Sequence, residues 1–202
     1  MKPWKRFGEL PRRYLRSYGL NTATAPDFSE NTLPNGTLVF QSGGAFPALR
    51  FRSARMSNVC CGIMAVYNVL TLCGHEIDFP RLAAEFEPIA IPAIPSGVFG
   101  TNPFRIGSCL AAYGVSFTKH RRLDELETAL TPGKLGIVSY MFGRLDPRAH
   151  TFAVERTADG VITYNRFSND RETGFAPSVH ETLKRKNVLL VGYAVEKPNI
   201  GE

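Results

Sequence analysis

Two adjacent thiols, Cys60 and Cys61, stand where a polar loop turns into an apolar segment with helical spacing. The start of a helix carries partial positive charge and unpaired N–H groups, which favour a thiolate over a thiol. We take Cys61 as the candidate nucleophile, because Gly62 follows it and would let a substrate backbone approach closely. Cys60 is expected to pack inward. Taken alone, either thiol is equally typical of a small buried residue.

A cysteine nucleophile needs a base to share its proton and a third group to orient that base. Histidine is the usual base, and of the four histidines only His150 begins a strand that leads into the predicted core. Asn165 follows in the next predicted strand, so the chain order Cys, His, Asn matches the papain-type triad. We therefore predict a catalytic triad of Cys61, His150 and Asn165, in which Asn165 hydrogen-bonds and orients the imidazole.

The turn between these two strands decides whether His150 and Asn165 share a face of the sheet. Residues 157–160 read Thr-Ala-Asp-Gly, which is the composition of a hairpin turn. A four-residue loop over 157–160 would pair Arg156 with Val161. Because side chains alternate with a period of two, this register places His150 and Asn165 on one face. A two-residue loop gives the same facing, whereas a three-residue loop would separate them.

Attack on an amide also requires hydrogen-bond donors for the developing oxyanion. The backbone N–H of Cys61 is one expected donor, and the side-chain amides of Asn58 and Gln41 are the candidates for the second. Asn58 is the nearer of the two in sequence, but it is equally typical of a helix N-cap.

A second candidate region for substrate binding is the Pro- and Gly-rich segment 88–103. Long loops in a compact domain commonly serve a function. We expect this segment to form part of the substrate groove, with Phe99 and Asn102 as candidate lining residues. Asn102 followed by Pro103 also predicts the start of a helix.

The elements that must position these residues follow from the hydrophobic pattern. Helical spacing predicts helices over 61–73, 79–86 and 103–113, bounded by Gly or Pro at their ends. After Gly114 the pattern changes, and it predicts strands at 115–118, 135–142, 150–155, 161–167 and 187–195 and short helices at 123–130 and 178–184. Helices followed by an antiparallel sheet indicate an α+β fold. We divide the chain into a loop-rich lead-in, 1–49, and a catalytic domain, 50–202.

Composition limits the class of protein. The chain has 202 residues, of which 44% are hydrophobic and 21% charged, as expected for one globular domain. No apolar run approaches the roughly 18 residues of a membrane span, so we do not expect a transmembrane protein. The four cysteines lack metal-ligand spacing, which favours free thiols in a reducing compartment and predicts no metal site. Without the apolar region of a secretory signal, the expected location is cytoplasmic.

Nearly all of the net charge of +6 lies in residues 1–16, which hold six basic side chains and one acidic one. This basic arm would attract an anionic partner, such as a membrane surface, a nucleic acid or an acidic protein. It is also typical of a solvated helix or extended arm that packs through its apolar residues. The rest of the chain is close to neutral, so we expect no sequence-specific binding of nucleic acid.

Segment 58–74 has the pattern N-x-x-C-G-x-x-A-x-Y-N-x-L-x-x-x-G. This pattern, together with the segment 99–103 and the pair Tyr164-Asn165, resembles the small bacterial papain-like cysteine peptidases over about residues 50–195. The resemblance implies a papain-like fold, no cofactor, a peptide or other amide substrate, and a triad of Cys61, His150 and Asn165.

The wider relatives of that group include the double-glycine leader peptidases, which carry a glutamine six residues before the nucleophile. This chain has Arg55 at that position, so its oxyanion side chain departs from their pattern. The pair Gly43-Gly44 resembles a double-glycine cleavage site, although two glycines in a loop are more typical of a turn.

The residues and the resemblance together predict a cysteine hydrolase that cleaves an amide or peptide bond. Two alternatives keep the same fold. An acyltransferase would pass the acyl group from Cys61 to an amine instead of water, and a binding module would have lost catalysis and would keep an ordinary thiol pKa at Cys61.

Overall fold

A computed structural model describes residues 12–52, 54–87, 101–143 and 146–198 of the chain. The first 11 residues, which include half of the basic side chains of the arm, lie outside the described residues. Phe99, a predicted groove residue, also lies outside them.

The described residues form helices and an antiparallel sheet, which confirms the predicted α+β class. The helices are α1 (Arg12–Ala23), α2 (Met56–Val59), α3 (Cys61–Leu72), α4 (Phe79–Phe86), α5 (Ile106–Ala112), α6 (Leu123–Ala129) and α7 (Val179–Thr182), with a 3-10 helix at Pro103–Arg105. The strands are β1 (Arg50–Phe51), β2 (Ala54–Arg55), β3 (Phe117–His120), β4 (Leu135–Gly143), β5 (Asp146–Arg156), β6 (Val161–Tyr164), β7 (Gly174–Ala176) and β8 (Val188–Val195). Six strands pair in the order β3-β8-β4-β5-β6-β7, and β1 pairs with β2. No helix in the described ranges is long and apolar enough to cross a membrane.

The central helix α3 is apolar on most of its circumference, so it is buried between the lead-in and the sheet. It ends at Leu72, and Gly74 takes a φ of 81°, a left-handed conformation that lets the chain leave the helix. The backbone N–H of His75 bonds to the Leu70 carbonyl at 3.0 Å and closes this end. The prediction of a helix over 61–73 that stops at Gly74 is confirmed.

The sheet has a core on each of its faces. Ile137 and Ala153 point towards α3 and belong to the larger core, while Val138 and Phe152 point to the opposite face. On that second face, α6 and α7 contribute apolar side chains such as Leu126 to a smaller core. The sheet is therefore covered on both faces, and α3 packs against β4 and β5.

The hairpin β5–β6 has the register that the four-residue loop predicts. Arg156 pairs with Val161, and the last pair is Ala153 with Tyr164. The strand β6 stops there, earlier than the predicted 167, because Asn165 takes a φ of 57° and turns the chain out of the sheet. Residues 146–152 of β5 thus extend beyond the last pair with β6.

The lead-in belongs to the same core as α3. Leu38, Phe46 and Leu49 are buried in the larger core beside that helix. Asn68, in the middle of α3, accepts a hydrogen bond from the Leu38 N–H at 2.6 Å and donates one to the Leu38 carbonyl at 2.8 Å. A buried amide thus replaces a backbone partner and ties the lead-in to the helix.

Replacing Asn68 with Ala is expected to lower the free energy of unfolding by about 3 kcal/mol, because the buried N–H and carbonyl of Leu38 would both lose their partner. Urea denaturation measures this change. The matched control is Asn58→Ala, since Asn58 is exposed on α2 and should change the free energy by less than about 0.5 kcal/mol. Equal effects of the two substitutions would contradict the role given to Asn68.

The pair Gly43-Gly44 lies in a turn that the buried side chain of Asn31 holds together. Asn31 donates to the Gly43 carbonyl at 3.3 Å and accepts from the Ala45 N–H at 2.9 Å. Gly44 has a φ of 57°. The two glycines therefore have the geometry of a turn.

Candidate active site

The two adjacent thiols have opposite environments. Cys61 is the first residue of α3 and is partly exposed, whereas Cys60 precedes the helix and is fully buried in the larger core. Burial raises the pKa of Cys60 well above its ordinary value, and the charge of the neighbouring Cys61 adds to this effect. Cys60 is thus a packed neutral thiol, and Cys61 is the one that faces other polar groups.

The structure brings Cys61 and His150 into hydrogen-bond contact. Burial alone would raise the pKa of Cys61, but the hydrogen bond and the charge of His150 outweigh it, and the pKa of the thiol is lowered. Burial alone would likewise lower the pKa of His150, but the contact with Cys61 reverses that and raises it. Both shifts favour a thiolate beside an imidazolium.

Backbone donors add to this stabilisation. The N–H groups of Thr151 and Gly62 both lower the pKa of Cys61. Gly62 lies in the first turn of α3, where N–H groups have no partner within the helix. Thr151 lies on β5 just beyond the last β5–β6 pair, where its N–H points to the side that β6 has left. The end of β6 therefore opens a place for the sulfur of Cys61.

Asn165 lies beside His150, but it holds the imidazole by a different group from the one predicted. Nε2 of His150 is 2.8 Å from the backbone carbonyl oxygen of Asn165, not from its side-chain amide. The physical reason is the left-handed backbone of Asn165, which turns its carbonyl towards the ring. Since a carbonyl only accepts, Nε2 must carry the proton, and Nδ1 remains for Cys61.

The side chain of Asn165 is engaged by Gln41, one of the two predicted oxyanion donors. Asn165 donates to Oε1 of Gln41 at 3.2 Å and accepts from the Gln41 backbone N–H at 3.3 Å. Nε2 of Gln41 donates to the Ser57 carbonyl at 3.0 Å, in the segment that leads to the nucleophile. Gln41 and Asn165 are both buried. Gln41 thus connects the chain before Cys61 to the residue that orients His150.

Replacing Gln41 with Leu is expected to loosen the carbonyl of Asn165 and, through it, the imidazole. We expect the pKa of Cys61 to rise and its alkylation by iodoacetamide at pH 6 to slow about tenfold, since small displacements at such sites have large effects. The pH dependence of alkylation measures the change. Ser42→Ala, at the exposed neighbouring position, is the control and should leave the profile unchanged.

The other predicted oxyanion donor, Asn58, is exposed on α2. It is not the residue that precedes α3, since Cys60 takes that position. The N-cap interpretation of Asn58 is therefore wrong. The backbone N–H of Cys61 itself lies at the start of the helix, as predicted.

The described end of the predicted groove segment lies against Gly62, the residue after Cys61, through Thr101. The side chain of Thr101 occupies the space beside Gly62 that a larger residue would need. From the sequence, a substrate backbone is expected to approach Gly62. In the structure the space beside Gly62 is instead occupied by Thr101 of the same chain. Asn102 accepts from the Phe104 N–H at 3.0 Å and caps the 3-10 helix, so its predicted capping role is confirmed.

Sequence reasoning did not single out Tyr140, which lies directly opposite His150 in the β4–β5 pair. The centroids of the two rings are 6.1 Å apart. Burial raises the pKa of Tyr140 to about 12, with Arg166 lowering it and Cys61 raising it, so the phenol stays protonated. The alternation of β4 and β5 would have identified Tyr140 once their register was known.

Within the described residues, no group of three or more His, Cys, Asp or Glu side chains could hold a metal ion. The described site contains a thiol of lowered pKa at a helix start, a histidine of raised pKa whose Nε2 faces a carbonyl, and two backbone donors. This set of groups is suited to nucleophilic attack followed by proton transfer. Comparison with family models gives no match, and comparison with curated proteins gives none either.

Proposed function

We propose that the protein is a cysteine hydrolase with a papain-like arrangement, which cleaves a peptide or other amide bond. The single observation that carries the proposal is the contact of Cys61 at the start of α3 with His150, whose far nitrogen is held by Asn165. A helix that presents a thiol to a histidine on an antiparallel sheet supports the papain-like architecture.

In the proposed reaction, the thiolate of Cys61 attacks the amide carbonyl carbon and forms a tetrahedral intermediate. The backbone N–H of Cys61 is one donor to its oxyanion. The imidazolium of His150 gives its Nδ1 proton to the leaving amine, and a thioester to Cys61 remains. Water then attacks the thioester, while His150 takes a proton from it, and the acid product leaves with the thiolate restored.

The cysteines support a reducing compartment as part of the proposal. All four cysteines, Cys60, Cys61, Cys73 and Cys109, are free thiols. Proteins that keep thiols reduced are typical of the cytoplasm, and this enzyme needs Cys61 unoxidised.

The proposal is tested by incubating the protein with a peptide library of mixed sequence and identifying products by mass spectrometry. Hydrolysis predicts new amino and carboxyl termini that depend on Cys61. A parallel sample with hydroxylamine reports transfer, because an acyl-cysteine that prefers amines would yield hydroxamates in place of acids. An ordinary pKa for Cys61 and no cleaved bond would overturn the proposal and favour a binding module.

A further inference from the structure

One end of the sheet, on the face to which His150 points, carries aromatic rings with cations above them. Tyr140 and His150 lie opposite each other on β4 and β5. The ring of Phe142 is 5.4 Å from that of Tyr140, and the guanidinium of Arg148 is 5.4 Å from the ring of Phe142. Arg148 lies two residues before His150, where the β4–β5 register shifts between Met141 and Gly143.

A second cation pair approaches this end from the chain that leaves β6. Arg166 follows Asn165 directly, and its guanidinium lies 5.1 Å from the centroid of the Phe167 ring. Nζ of Lys184 lies 5.6 Å from the same centroid. Both charges are thus held on one aromatic surface, and cations stacked in this way keep donors available for an anion.

The guanidinium of Arg166 is only partly used by the protein. One of its Nη atoms donates to the Glu181 carbonyl at 3.2 Å, which fixes it beside α7. Its Nε is buried and finds no hydrogen-bond partner within the described part of the chain. A buried donor without a partner is uncommon in proteins.

Tyr140 connects this cation to the nucleophile. The pKa of its phenol is raised first by burial, is lowered by the charge of Arg166 and is raised again by Cys61. Arg166 also follows Asn165 directly, and the carbonyl oxygen of Asn165 lies 2.8 Å from Nε2 of His150. A group bound by Arg166 would therefore lie near the bond that Cys61 is proposed to attack.

Acidic side chains oppose these cations only in part. The carboxylate of Asp170 accepts the Phe167 N–H at 2.8 Å and raises the pKa of His150, so it is one opposing charge. Glu181 is exposed on α7, and exposed Arg185 and Lys186 follow Lys184. Residues 166–186 together hold five Lys or Arg side chains and three Asp or Glu, so this part of the chain has an excess of positive charge.

We propose that this surface, formed by Arg166 and Lys184 on the ring of Phe167, selects acidic peptides, and that the two cations bind a substrate carboxylate beside the scissile bond. The inference rests on the proposed function, because it assigns a substrate class to the same nucleophile. The planar guanidinium of arginine suits a carboxylate better than the ammonium of lysine does, which makes Arg166 the specificity-determining residue of the pair.

The test compares two alkylating reagents of similar size, the anion iodoacetate and the neutral iodoacetamide, at Cys61. The measured quantity is the rate of iodoacetate divided by the rate of iodoacetamide. In Arg166→Gln and in Lys184→Gln we expect this ratio to fall about two- to fourfold at low salt, because one attracting charge is lost. Added salt should reduce the difference in this ratio between the variants and the unchanged protein. The control is Arg122→Gln, which removes an equal charge from an exposed position after β3, at the opposite edge of the sheet.

The iodoacetamide rate separates the possible outcomes. If alkylation by iodoacetamide depends on Cys61 but the iodoacetate-to-iodoacetamide ratio is the same in all variants, the acidic preference is overturned and the proposed function stands. If neither reagent modifies Cys61, the acidic preference and the proposed function are both overturned. Protection of Cys61 by a short RNA, but not by a glutamate-rich peptide, would overturn the assignment of a peptide. Faster cleavage of Glu-containing than of matched Gln-containing peptides would support it.

Discussion

Cys61→Ala is expected to reduce amide hydrolysis by about 10⁴-fold or more, because removal of a nucleophile leaves only binding and oxyanion stabilisation. The substitution should change the fold little, since Cys61 is partly exposed at the start of α3. Labelling by iodoacetamide at pH 6 should also disappear. Peptide mapping by mass spectrometry, on protein with unchanged circular dichroism, measures both effects.

The adjacent thiol provides the matched control. Cys60→Ala should keep both labelling and hydrolysis, because the sulfur of Cys60 is buried and its pKa is raised well above the ordinary value. We expect only a modest loss of stability from the smaller side chain, about 1 kcal/mol. Labelling that persists at Cys60 in the Cys61→Ala protein would contradict the assignment of the nucleophile.

His150→Ala is expected to lower the rate of hydrolysis about 10³-fold and to change the pH dependence of Cys61 alkylation. The contact with His150 lowers the pKa of Cys61, so the wild-type rate rises with pH through a midpoint below that of a free thiol. Without the imidazole that midpoint moves up. An ordinary thiol has a pKa of about 8.5, so alkylation at pH 6 should slow by more than about tenfold.

The control for this substitution is another histidine. His180→Ala removes an imidazole from the exposed helix α7, where His180 pairs with Asp124 at 3.0 Å. It should leave the midpoint unchanged. A midpoint for His150→Ala equal to that of the wild type would contradict the thiolate–imidazolium pair.

Local signals in the sequence were sufficient to predict the elements that carry Cys61 and His150. Gly74 marks the end of α3, and Asp78 with Pro80 marks the start of α4, where the Asp78 carboxylate accepts the Arg81 N–H as a cap should. The turn over 157–160 determines the β5–β6 register. Each of these features depends on residues close together in the chain.

Features that depend on distant contacts were missed or misplaced. The strand β6 was predicted to continue to 167, because Phe167 extends its apolar pattern, but contacts with Gln41 accompany a turn at Asn165 instead. The prediction for β3 starts two residues early, since Val115 is buried without being in the strand. The strand β7 has only three residues and an exposed Phe175, too short a pattern to indicate a strand. A helix was one of two interpretations of the arm 1–16, whereas α1 extends to Ala23.

The candidate site shows the same division. Side-chain types in the order Cys, His, Asn indicated which residues to bring together, and the structure brings them together. Backbone groups could not be chosen in this way, because every residue except proline has an N–H and every residue has a carbonyl. That Thr151 donates to the sulfur depends on where β6 ends, which only the folded chain determines.

The left-handed backbone at Asn165 has a consequence for recognising such proteins. What the imidazole requires there is a carbonyl in one direction, which is a matter of backbone conformation and not of side-chain identity. Glycine adopts that conformation more easily than asparagine does. A homologue with Gly at this position would keep the proton of His150 in place, and a search for a third polar side chain would overlook it. Proteins with this arrangement would then be found through their cysteine, their histidine and a break in the neighbouring strand.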